Sequence, residues 1–62
     1  MSKIVENIIS QNDEGYEHYG NVIVTVRDTE TGEVQTASVD YTPSKSKGEA
    51  TAEAIKEASD KF

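Results

Sequence analysis

The chain has 62 residues, a net charge of −6 from twelve Asp+Glu against six Lys+Arg, and no cysteine. A domain this short buries only about 60% of its unfolded surface, which leaves little room for an internal ligand cavity. The missing cysteines exclude disulfide staples and cysteine nucleophiles, and with a single histidine they exclude ordinary zinc sites.

The same composition fits a reducing, cytoplasmic setting. The residues Met1–Asn7 lack the apolar run of a signal peptide, because Glu6 and Asn7 interrupt it. No stretch approaches the ~20 apolar residues that span a membrane, so a soluble protein with no membrane contact is expected.

Residues 1–10 read two ways. Ile4, Val5, Ile8 and Ile9, with Met1, fit an amphipathic helix, yet most are β-branched and run into the turn signal Asn12-Asp13-Glu14-Gly15. A strand is preferred. Closing the four-residue turn pairs Gln11 with Tyr16 and sets Val5 beside Val22. That register gathers Ile4, Ile8, Tyr19 and Ile23 on one outer face.

Asn21–Asp28 is the strongest strand, being dominated by β-branched residues. Thr29-Glu30-Thr31-Gly32 then forms a turn that pairs Asp28 with Glu33. Counting back sets Val26 against Gln35, Val24 against Ala37, Val22 against Val39 and Gly20 against Tyr41. One face is then apolar, and Thr25, Arg27, Thr36, Ser38 and Asp40 fall on the other. Gly20 leaves room for Tyr41 or a bulge.

Pro43 stops the strand, and Ser46-Lys47-Gly48-Glu49 matches a helix capping box. Thr51, Ala54, Ile55, Ala58 and Phe62 recur at helical spacing. The fold class is α+β: a three-stranded antiparallel β-meander with one C-terminal helix packed on one face, β-β-β-α. The alternative is α-β-β-α.

No catalytic constellation emerges. His18 has no serine motif near it, and the turn acids lie outside any cleft that would shift their pKa. The start of a calcium loop at Asp28 fails at its twelfth position, which is Val39. No enzyme, cofactor or metal is expected.

Two function classes remain. The first is a non-catalytic protein-interaction module, a small acidic adaptor or inhibitor working through its sheet surface. Its apolar interface is Ile4, Ile8, Tyr19 and Ile23, which suits a homodimer or a protein partner. Asp13, Glu14, Glu17, Asp28, Glu30, Glu33 and Asp40 supply an acidic surface for a basic partner. That surface also suits imitation of nucleic-acid phosphates by an inhibitor of the phage or mobile-element kind.

The second class is a weak nucleic-acid binder. Ser44, Lys45, Ser46 and Lys47 combine hydroxyls and ammonium groups with a helix N-terminus. Ser44–Ala58, with Ala50, Ala54 and Ala58 in its helix, resembles the C-terminal half of a double-stranded RNA-binding domain. The resemblance implies that these lysines meet phosphates. The net charge, the length and the lack of a glycine-rich approach to the lysines depart from that family, and the acidic balance favours the first class.

Overall fold

A computed structural model describes residues 2–62. Three antiparallel strands, β1 (Lys3–Asp13), β2 (Tyr16–Asp28) and β3 (Val34–Tyr41), form one open sheet in that order. The helix α1 (Lys47–Asp60) follows. This is the β-β-β-α arrangement the patterning favours over α-β-β-α. Met1, part of the competing helical stripe, lies outside the described residues.

The β2–β3 hairpin has the expected register: Val26 faces Gln35, Val24 faces Ala37, Val22 faces Val39 and Gly20 faces Tyr41. Two features fix it. Gly32 takes φ +78°, a conformation that glycine adopts at no steric cost. Asp28 is buried, and its Oδ1 accepts from the backbone N–H of Glu30 at 2.8 Å and of Thr31 at 3.4 Å. The Asp28 carboxylate thus braces the loop rather than displaying charge. Asp28→Ala is expected to cost about 1–2 kcal/mol in urea unfolding, and Asp28→Asn, which keeps the acceptor oxygen, less than half of that.

The core lies between this hairpin and the helix. Val22, Val24 and Val26 are completely or almost completely buried, with Ala37, Val39 and Tyr41 beside them. The helix meets them with Ala50, Ala54 and Ala58, all fully buried, flanked by Ile55 and Phe62. Its apolar stripe is therefore centred on the three alanines. Thr51 lies at the margin, and its hydroxyl donates to the Lys47 carbonyl at 2.7 Å. Ser46 caps the helix by accepting from the Glu49 N–H at 3.2 Å.

Tyr41 fastens the sheet across its width. It reaches over Gly20 on the central strand, and its hydroxyl donates to the Gln11 carbonyl of β1 at 3.2 Å. A Cβ on Gly20 would collide with both the Gln11 carbonyl oxygen and the Tyr41 hydroxyl. Glycine is required there by close approach, as the sequence suggests.

The β1–β2 register departs from expectation. The turn is two residues, Glu14-Gly15, with Asp13 opposite Tyr16 and Gly15 at φ +82°. Asn12 already faces Gly20, so residues 17–19 bulge out of β2. The Asn12 side-chain amide braces that bulge by donating to the Glu17 carbonyl at 2.7 Å. Val5 consequently sits beside Val26, not Val22. A second bulge falls between Val5 and Asn7. An extra residue in a strand exchanges the faces of everything beyond it.

Candidate interaction surface

The second bulge decides which side chains share a face. Residues opposite one another in an antiparallel pair project to the same side. Val5 faces Val26, Ile8 faces Val24 and Ser10 faces Val22, so these three lie on the helix side. Ile4 faces Arg27 and Ile9 faces Ile23, so these lie on the outer side. The expected outer patch of Ile4, Ile8, Tyr19 and Ile23 is therefore corrected. Ile8 belongs to the opposite face. Ile9, which is not in the expected patch, pairs directly with Ile23. Tyr19 lies in the 17–19 bulge, stacked edge-to-face on Tyr16 with ring centroids 5.7 Å apart.

The helix packs on β2 and β3 and leaves most of β1 uncovered, with Lys3 Nζ at its end standing 5.5 Å over the Phe62 ring. All eleven residues of β1 are exposed, and none enters the core. Ile4 is 49%, Val5 42%, Ile8 47% and Ile9 44% exposed, so the strand carries large aliphatic side chains on both faces. It is also an outer strand of the sheet, which leaves one row of its backbone amides and carbonyls facing outward. Glu6, at the bulge, is held by Arg27, whose Nε and Nη2 lie 2.8 and 2.7 Å from its Oε1. The charge at the middle of the strand is thereby matched, although an exposed pair of this kind contributes under about 1 kcal/mol.

The acids do not form one face. Asp13, Glu14 and Glu17 gather at the β1–β2 tip, and Glu30 and Glu33 flank the β2–β3 loop at the other end of β2. Asp40 lies on the outer face, where its Oδ1 accepts from the Asn21 amide at 3.1 Å. Asp28 is buried in its loop. The molecule is 41 Å long, so the two groups of acids are far apart against a Debye length of about 8 Å in physiological salt.

The lysine corner is already engaged within the chain. Lys45 Nζ lies 2.5 Å from Glu53 Oε2. That hydrogen bond, reinforced by the Glu53, Glu49 and Glu57 charges, raises the Lys45 pKa above its ordinary value. Lys47 Nζ stands 5.4 Å over the Tyr41 ring. Ser46 caps the helix, and the Ser44 N–H donates to the Thr42 hydroxyl at 3.2 Å. Beside this corner, Asn12, Glu17, His18, Tyr41, Thr42, Pro43, Ser46 and Lys47 line an open concavity of about 500 Å³. It holds one carboxylate as well as one lysine, and lacks the cluster of cations that polyanion binding needs.

Among the described residues, no group of three His, Asp or Glu is placed to hold a metal ion. Among them too, no helix is long and apolar enough to cross a membrane. Comparison with known proteins finds no matching family model, no curated relative and no similar solved structure.

Proposed function

We propose that the chain is a non-catalytic protein-interaction module, an adaptor or inhibitor in type, whose working surface is β1. The observation that carries this reading is the exposure of all eleven β1 residues, aliphatic on both faces, along an open sheet edge. A long edge rich in aliphatic side chains is a template for another strand, and proteins that stay monomeric blunt such edges with charge, proline, short length or bulges; the bulge of β1 at Glu6 leaves regular pairing on either side of it. Here the strand is long and holds no proline, and its one mid-strand charge is paired with Arg27.

The test is co-purification on the tagged chain, comparing wild type with Ser10→Pro. Proline at an outward-facing position removes one edge donor and blocks an added strand. Wild type is expected to retain one reproducible protein species through 1 M salt, and Ser10→Pro to lose it with its helix content unchanged by circular dichroism. Retention that disappears in salt would point instead to the acidic tips and overturn the edge reading.

A further inference from the structure

The open edge has a twofold symmetry of its own, and we infer that its occupant is a second copy of this chain. The inference rests on the edge reading above and names the partner for it.

The hydrogen-bonding direction of each strand follows from two contacts. The Asp28 N–H donates to the Glu33 carbonyl, so Asp28 turns its backbone toward β3. Backbone direction alternates along a strand, so Arg27, Thr25, Ile23 and Asn21 turn theirs toward β1. The Thr29 N–H, donating to the Ser2 carbonyl at 2.9 Å, obeys the same alternation. The β1 residues opposite these four are Ile4, Asn7, Ile9 and Gln11, and they bond inward. Lys3, Val5, Ile8, Ser10 and Asn12 are left with their amides and carbonyls on the open edge.

These five residues face Asp28, Val26, Val24, Val22 and Gly20, which are evenly spaced by two. The bulge at Glu6 absorbs the odd residue between Val5 and Ile8. The outward groups are therefore evenly spaced too, with Ile8 at their centre. Rotating a second copy by 180° about an axis normal to the sheet, midway between the two Ile8 residues, matches every outward residue to another. Ile8 meets Ile8 of the second copy, Val5 meets Ser10, and Lys3 meets Asn12.

Charge complementarity favours this antiparallel orientation. Lys3 and Asp13 are the end charges of β1, and the rotation sets each Lys3 beside the Asn12-Asp13 end of the other copy. A parallel arrangement would instead align Asp13 with Asp13 and Lys3 with Lys3, which repels at both ends. On the helix side, Val5 and Ile8 of both copies come together at the axis, covering aliphatic surface that each copy alone leaves exposed. The product is a continuous six-stranded antiparallel sheet with both helices on one side, flanking a trough floored by those four residues.

The absence of native cysteine allows a direct test. Cα atoms of a directly opposed hydrogen-bonded pair lie about 5.5 Å apart. That separation lies within the ~4.4–6.8 Å range that a disulfide spans. Ile8→Cys is expected to give a disulfide-linked dimer under mild oxidation, at least tenfold faster than Ile4→Cys or Ile23→Cys. Wild type is expected to sediment near twice 6.8 kDa, and Ser10→Pro near 6.8 kDa. A wild type that sediments as a monomer up to millimolar concentration, with Ile8→Cys cross-linking no faster than the controls, overturns self-pairing. If that monomer still retains a different protein that Ser10→Pro loses, only the choice of partner fails. If it retains nothing, the edge reading fails as well.

Discussion

Gly20→Ala is expected to remove a large part of the folding stability at 25 °C. The added methyl group meets the Gln11 carbonyl on one side and the Tyr41 hydroxyl on the other. Overpacking of a tight site typically costs about 1–3 kcal/mol. Here one collision is with backbone, and relieving it pulls β1 from β2 or breaks the Tyr41–Gln11 hydrogen bond, so about 3 kcal/mol or more is expected. A 62-residue domain has on the order of 3–9 kcal/mol in total at ~0.05–0.15 kcal/mol per residue. Urea unfolding followed by far-UV circular dichroism would show the loss. Tyr41→Phe, which removes only the hydroxyl, should cost about 1 kcal/mol. Combining Gly20→Ala with Tyr41→Ala should not restore that stability, because the Gln11 carbonyl stays where it is. Recovery in that double variant would assign the strain to the tyrosine alone.

Ala54→Leu should produce the second large loss. Ala54 is completely buried at the middle of the helix face, between Ala50 and Ala58 and over the valines of β2. Three alanines in a row let the helix lie close to the sheet, so there is no space for three more carbon atoms. The helix must lift, and contacts of Val22, Val24 and Val26 loosen with it. A cost of about 2–3 kcal/mol is expected in thermal or urea unfolding. Ala52→Leu, on the exposed side of the same helix, should change stability by less than about 0.5 kcal/mol. Similar losses at both positions would show that helix propensity, not packing against the sheet, decides the outcome.

The legible part of the fold was the part set by local rules. The β2–β3 hairpin could be read to the residue because turn length and alternating apolar positions give the same register independently. Tyr41 over Gly20 followed from that register. The helix is legible in its cap, but the stripe expected from the sequence starts on Thr51 in place of Ala50 and runs on to Phe62, beyond the helix end at Asp60. Alanine and threonine differ too little in apparent polarity to fix a helix face unaided.

The candidate surface was harder to read, and the cause is the pair of bulges in the first hairpin. Nothing in Val5-Glu6-Asn7 announces an extra residue, yet that residue carries Ile8 to the helix side and Ile9 to the outside. A strand with Ile4-Val5 and Ile8-Ile9 doublets looks equally apolar from either face, so patterning cannot choose between registers. The tip bulge at 17–19 had a faint signal in Asn12, a side chain suited to bracing irregular backbone, and in Gly20, which the sequence did suggest as a bulge point. The acidic residues could be counted in advance. Their division between two ends of the molecule, and the withdrawal of Asp28 into its loop, depend on topology.

The alanine face of the helix also governs how this protein responds to temperature. Alanine brings little hydrocarbon into the core, and among the described residues the largest fully buried side chains are the valines opposite. Unfolding therefore exposes less apolar surface than a leucine-rich core of equal length would, and the heat-capacity increment falls below the roughly 0.8 kcal/mol/K that 62 residues of average composition give. A small increment flattens the curve of stability against temperature. The chain gains little from cooling, melts over a wide interval, and keeps much the same modest stability across the range in which a cell grows.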